Sequence, residues 1–178
     1  HTTTASSTVD RIVDQFPHDQ QAQIRIMLAN TLKCVITQML CRRKGGGRVA
    51  AFEILYVHSA VANLIRERKT FQLPSIIQTG KKYGMCTMNE SLMELVYNGA
   101  ITVAEAYSKA ADKQDMNSRV NEFLLHQVRQ GQLTPVDAVR ESYFRPDMLD
   151  RLRGGGYGKV VEKMDMSQFE EKPEGELE

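Results

Sequence analysis

Residues Ala60 to Met88 read AVANLIRERKTFQLPSIIQTGKKYGMCTM, and the punctuation of this stretch decides how its neighbours are read. Ser59 precedes the run Ala60 to Arg68. A serine hydroxyl there can accept a free backbone N–H, so a helix capped by Ser59 is predicted. Pro74 suits the first turn of a following helix and Gly84 its C-terminal exit. Thr87-Met88-Asn89-Glu90 is a capping box, in which the Thr hydroxyl and the Glu carboxylate each take a free amide of the other's turn. It opens a helix ending at Asn98, with Gly99 as a left-handed stop. Thr102-Val103-Ala104-Glu105 repeats the same start signal.

Before this stretch the signals are of two kinds. Pro17 opens a run from His18 in which Ile24, Met27, Leu28 and Thr31 fall three or four apart, as one helix face requires. Cys34 to Cys41 and Val49 to Val57 are apolar, β-branched runs on either side of Arg42-Arg43-Lys44-Gly45-Gly46-Gly47-Arg48, the pattern of a β-hairpin. The glycines supply the positive φ angles of an exposed turn. They lack the GxxxxGK[ST] spacing, so they do not form a phosphate cradle.

After it, an internal repeat appears at a spacing of 32 residues. Glu90, Leu92, Met93, Val96 and Gly99 correspond to Glu122, Leu124, Leu125, Val128 and Gly131. The match continues with Ile101-Thr102 on Leu133-Thr134, Glu105-Ala106 on Asp137-Ala138, and Asp115-Met116 on Asp147-Met148. A shared phase over this length points to duplication of one helical unit. Two copies are too few for a solenoid, so a small helical appendage is expected. Gly154-Gly155-Gly156 is expected to end the last helix, followed by an acidic, disordered tail.

Composition excludes several classes. A hydrophobic content of 42% is enough to bury a core. No apolar run approaches the roughly 20 residues that span a bilayer, and no charged region followed by an apolar core marks a signal peptide. Residue 1 is His, so a fragment or processed product is expected. Cys34, Cys41 and Cys86 are odd in number and share no CxxC spacing, which argues for free thiols in a reducing compartment. Residues 154–178 hold three lysines against seven acids, a balance of −4, leaving +5 on residues 1–153. That is too sparse for a nucleic-acid-binding face.

His18, His58 and His126 stand apart and read as surface or capping residues, without metal-ligand spacing. Met27, Met39, Met85, Met88, Met93 and Met116 read as core filler. Arg66-Glu67-Arg68-Lys69 and Lys81-Lys82 are charge clusters that suit either a solvated face or a partner surface.

Taken in order, these residues resemble a family. His1-Thr2, the helix with Asp10-Arg11-Ile12-Val13-Asp14-Gln15-Phe16-Pro17, the hairpin with Gly47-Arg48-Val49-Ala50-Ala51, then AVANLIRERK and SIIQTGKKYGMCTM look like the type IV pilus retraction ATPases, PilT-like members of the secretion ATPase superfamily. The resemblance spans about residues 1–112. It implies an α/β, mostly helical chain: the C-terminal portion of a RecA-like P-loop ATPase domain followed by a helical domain. Residues 1–58 would be the last strands and helices of the motor domain and 59–112 the family's helical domain with its LIRE motif. Residues 113–153 would be the duplicated extension and 154–178 the acidic tail.

The family's motor couples ATP hydrolysis in a hexameric ring to pilus disassembly, the basis of twitching motility. By resemblance, ATP and Mg belong to the intact parent and neither is expected to bind this chain tightly. The phosphate-binding loop, acidic box and Walker B segment lie upstream in the family, so no catalytic residue and no metal ligand are assigned, and the isolated chain is expected not to hydrolyse ATP. His1 and Thr2 match the end of the His box, near the nucleotide's terminal phosphate.

Ala60 to Glu67 matches the retraction helix, usually AIRNLIRE, with Val61-Ala62 in place of Ile-Arg. Asn63, Leu64, Ile65, Arg66 and Glu67 are its partner-contact residues, Arg66 and Glu67 for polar contacts and Leu64 and Ile65 as packing anchors. The implied partners are copies of the chain in a ring and the pilus inner-membrane platform protein, with no nucleic acid and no membrane span. The implied location is cytoplasmic, at the inner face of the cytoplasmic membrane. Two alternatives stand beside this: a self-standing helical interaction module without nucleotide chemistry, and a fragment of a pilus-assembly or type II secretion ATPase. The absence of that branch's four-cysteine zinc insert weighs against the second.

Overall fold

Two strands meet in an antiparallel hairpin, β1 (Cys34–Arg42) and β2 (Arg48–Tyr56), in register from Cys34 opposite Tyr56 to Arg42 opposite Arg48. The computed structural model describes residues 2–143 and 145–164. The turn runs through Gly45, Gly46 and Gly47, all at positive φ. Because side chains alternate across a strand, Val35, Thr37, Cys41, Ala51, Glu53 and Leu55 share one buried face. Ile36, Leu40, Phe52 and Tyr56 lie exposed on the other.

The chain divides into two compact units, residues 1–111 and 112–178. In the first, the hairpin is joined by α1 (Ala5–Val13), α2 (His18–Thr31), α3 (Ser59–Arg66), α4 (Leu73–Thr79), α5 (Met88–Tyr97) and α6 (Val103–Lys109). Helix α1 buries Ala5, Val9 and Val13, one face at a spacing of four. Ala5 and Val9 join Ala29 of α2, Val35 and Leu55 of the sheet, Val61, Ala62 and Ile65 of α3, and Leu73, Ile77 and Met85 in one core cluster. Full burial of each large side chain contributes about 1.5–3 kcal/mol.

Two sequence expectations are corrected here. Helix α3 begins at Ser59, and its cap is His58, whose Nδ1 accepts from the Ala60 amide at 3.3 Å. On α2 the buried positions are Arg25 and Ala29, whereas Met27 is 54% exposed. The helix rotates to turn Arg25 inward, where its Nη1 lies 3.5 Å from Asp10 Oδ1 of α1. Met85, Met88, Met93 and Met116 are core residues, as their pattern suggests.

The second unit contains α7 (Lys113–Arg129), α8 (Pro135–Glu141), α9 (Arg145–Leu152) and α10 (Gly158–Val161). Its core includes Met116, Val120, Leu124, Val128, Ala138, Val139, Met148, Leu152 and Val161. A polar chain runs through it. Ser142 Oγ donates to Asn121 Oδ1 at 2.6 Å, and Asn121 Nδ2 donates to Asp147 Oδ2 at 2.8 Å. Arg151 Nε donates to the same oxygen at 2.8 Å, and Arg151 Nη2 donates to Ser118 Oγ at 2.9 Å.

Regular helix ends at the glycine run, as expected: α9 closes at Leu152 and Gly156 leaves the helical region at φ 93°, after which a separate short helix, α10, begins and buries Val161. A glycine can adopt that backbone without a Cβ penalty, and burial of Val161 favours the extra turn. The remainder of the expected tail, residues 165–178, lies outside the described residues.

The 32-residue period reappears in the elements themselves. Helix α6 begins at Val103 and α8 at Pro135, while α7 begins at Lys113 and α9 at Arg145. Thr102 and Thr134 are the caps of α6 and α8. Gly99 and Gly131 have φ 68° and 69°. Arg119 to Asp115 and Arg151 to Asp147 are matching ion pairs at 2.8 Å.

Candidate functional site

Residues 60–88 are bonded to α1, α2, β2 and α5 of the first unit. Arg66 of α3 donates to Asn63 Oδ1 at 2.6 Å and, across to α2, to Asn30 Oδ1 at 2.8 Å. Thr70 Oγ1, in the 3-10 turn Thr70–Gln72, lies 2.9 Å from both carboxylate oxygens of Asp10 on α1. Cys86 pairs with Ile54 of β2 through both backbone bonds, Ile54 N to Cys86 O at 2.9 Å and Cys86 N to Ile54 O at 3.3 Å. Lys81 bridges to Glu90 of α5 at 2.8 Å. Burial pushes the Glu90 carboxyl up, but the Lys81 ammonium and the Thr87 amide and hydroxyl together hold it below its ordinary value.

The five motif residues divide by exposure. Asn63, Arg66 and Glu67 are exposed, Leu64 is half-buried, and Ile65 is fully buried. Glu67 pairs with Lys69 at 2.7 Å, and that hydrogen bond lowers its pKa. Ile65 therefore holds α3 in the core, so a polar side chain there breaks the fold as well as the motif. Ala62, which stands at an Arg position of the usual motif, is 7% exposed and belongs to the core.

Thr2 lies at the mouth of α1; His1 lies outside the described residues. The Thr2 and Thr8 hydroxyls are hydrogen-bonded at 2.8 Å. Thr4 caps α1 reciprocally with Ser7, and Thr37 Oγ1 donates to Thr3 O at 3.5 Å. The first amide of α1, that of Ala5, donates to Glu53 Oε1 at 2.7 Å.

The Thr2 and Thr4 hydroxyls, the Thr3 carbonyl and the Ala5 amide are thus engaged within the chain, and a carboxylate already stands where a helix N-terminus would attract a phosphate. No group of three His, Cys, Asp or Glu side chains able to hold a metal occurs among the described residues. The GxxxxGK[ST] spacing does not occur in the sequence of this portion. What it offers is a positioned backbone segment.

Glu53 was not singled out from sequence. The signal was present: Ala51, Glu53 and Leu55 alternate in phase, which places a carboxylate on the buried face of β2.

No family model matches the chain. It is 48% identical over 110 residues to the type IV pilus retractation ATPase PilT of Pseudomonas aeruginosa, covering 62% of this chain and 32% of that protein. It is 47% identical over 118 residues to the twitching motility protein of Neisseria gonorrhoeae, covering 66% of this chain and 32% of that protein. Among solved structures, the pilus retraction motor PilT with bound ADP superposes with a TM-score of 0.58 at 43% identity, over 65% of this chain and 32% of that one.

Over this stretch the chain is PilT-like. It spans about a third of the length of these two relatives. The Legionella pneumophila ATPase DotB, at 21% identity and a TM-score of 0.50, shares the fold alone. The fold is accordingly that of part of an α/β ATPase domain, mostly helical, with helices following the hairpin. Among the described residues no helix is long and apolar enough to cross a membrane.

Proposed function

We propose that this chain is part of a hexameric motor ATPase that powers type IV pilus retraction, and that it carries the motor's output and subunit-contact region. The observation that carries this reading is the 48% identity to PilT over 110 residues, with the LIRE helix intact within it. ATP and Mg bind to parts of the longer protein. Residues His1 and Thr2 form the nucleotide-proximal end of this portion. Asn63, Arg66 and Glu67 are exposed on α3 for contact with a neighbouring subunit or with the inner-membrane platform protein, while Leu64 and Ile65 seat the helix. The motor works at the cytoplasmic face of the inner membrane. The second unit is a duplicated helical appendage.

The test uses the longer gene product and the 178-residue chain side by side. The longer product, with a GxxxxGK[ST] loop upstream, hydrolyses ATP and restores twitching to a retraction-deficient strain. The 178-residue chain releases phosphate only at background. A reading frame without that loop, or a longer product without turnover, overturns the motor reading in favour of a self-standing helical module.

A further inference from the structure

A single buried carboxylate joins the start of the chain to the end of the 60–88 stretch. Glu53 is 7% exposed, on the core face of β2. Its Oε1 accepts from the Ala5 amide, the first of α1, at 2.7 Å. Its Oε2 accepts from the Met88 amide, the first of α5, at 3.4 Å. Among the described residues it has no cationic partner. Its two oxygens instead face the positive ends of two helices, each equivalent to roughly half an elementary charge.

The two ends are not held equally. Next to Glu53, Ile54 is doubly bonded to Cys86, so the approach to α5 is tied to β2 without help from the carboxylate. Among the described residues, the α1 end is hydrogen-bonded to the sheet through the Glu53 bond and the 3.5 Å contact of Thr37 with Thr3, with Ala5 buried beside them.

We propose that Glu53 is the positioning residue of the Thr2–Thr4 segment, and that its two oxygens couple this segment to the N-terminus of α5. A displacement of the segment then pulls on the Met88 end of the 60–88 stretch. The role requires a carboxylate. Glutamine has one acceptor oxygen and one NH2 group, and the NH2 would face an amide N–H, so one arm must open. This inference rests on the motor reading for what the displacement serves, but the clamp itself does not depend on it.

The test has two arms. Amide hydrogen exchange is read on the 178-residue chain, wild type and Glu53→Gln, and ATP turnover is read on the longer product with the same change. Expected is exchange faster by about tenfold or more at residues 5–8, at 88–91, or at both, with the rest of the first unit unchanged. Turnover shows kcat lower by about tenfold with KM for ATP altered less than about threefold.

Ala5→Pro provides a second variant should Glu53→Gln not fold. Proline suits the first position of a helix and removes the N–H, while its ring adds carbons at a buried site, and the preceding Thr4 is already extended at φ −135°, ψ 154°. It should speed exchange at residues 6–8 without touching 88–91, and lower kcat as Glu53→Gln does. Unchanged exchange at both ends in Glu53→Gln, uniform acceleration throughout the first unit, or normal kcat in both variants overturns the proposal. A wild-type product without turnover overturns the motor reading, and the exchange arm then decides the clamp alone.

Discussion

Arg66 of α3 donates to Asn30 of α2 at 2.8 Å while its other guanidinium nitrogen holds Asn63 at 2.6 Å. The side chain is exposed, so these bonds fix its direction more than they stabilise the fold. Arg66→Ala should lower unfolding free energy by no more than about 1 kcal/mol and yet abolish retraction in the longer protein. Urea unfolding followed by circular dichroism, alongside a twitching assay, separates the two effects. Normal twitching would remove Arg66 from the output surface.

Leu64 and Ile65 are neighbours with different burdens. Ile65 is fully buried in the core, and Ile65→Ala should cost about 2–5 kcal/mol. Leu64 is half-buried at the edge of that core, so Leu64→Ala should cost about 1–2 kcal/mol. Equal losses in denaturant titrations would contradict the packing described. Loss of motility in an Ile65 variant therefore reports folding, and Leu64 is the cleaner probe of contact.

The second unit should lose stability in acid through Asp147. The Asn121 amide, then the Arg151 guanidinium, hold its carboxyl below the ordinary aspartate value, which is about 3.9. The folded form is thus favoured above that pH, and the contribution disappears as pH falls through the lowered folded value. Asn121→Ala removes the first cause, so Asp147 should titrate nearer its ordinary value and contribute less. The variant should also lose about 1–3 kcal/mol at neutral pH, because Ser142 loses its buried acceptor. The check is the exchange of α7 and α9 amides between pH 3 and pH 7 in both proteins. An unchanged pH dependence in the variant would show that Asn121 does not set the Asp147 titration.

Gly99 and Gly131 occupy matching positions of the repeat at φ 68° and 69°, with open space where a Cβ would stand. The cost of alanine there is backbone strain alone, about 1–2 kcal/mol at each site. Gly99→Ala should loosen exchange around α5 and α6, and Gly131→Ala around α7 and α8, by similar factors. Unequal effects would mean that the two copies no longer share one stop.

The repeat, its threonine caps and its glycine stops were legible because each depends on residues within one turn of the backbone. Thr87 and Glu90 make a capping box wherever that helix begins. The hairpin was legible because strand alternation and three glycines leave little choice. Which face of α2 is buried was not legible, since Ile24, Met27 and Leu28 offered a plausible stripe until Arg25 found Asp10 on another helix. His58 displaced Ser59 as cap for a similar reason: both offered an acceptor, and the backbone geometry chose between them. Glu53 was visible as a charge in phase with the core, but its two helical partners lie 48 and 35 residues away.

The sequence by itself determined the order of elements, the 32-residue period and the PilT-like motifs, because short-range hydrogen bonding and motif spacing are properties of neighbouring residues. Only the tertiary structure decided which motif residues are available and which are core, and which buried charge joins α1 to α5. Those outcomes depend on desolvation, and a side chain loses its water only when a distant part of the chain is brought against it.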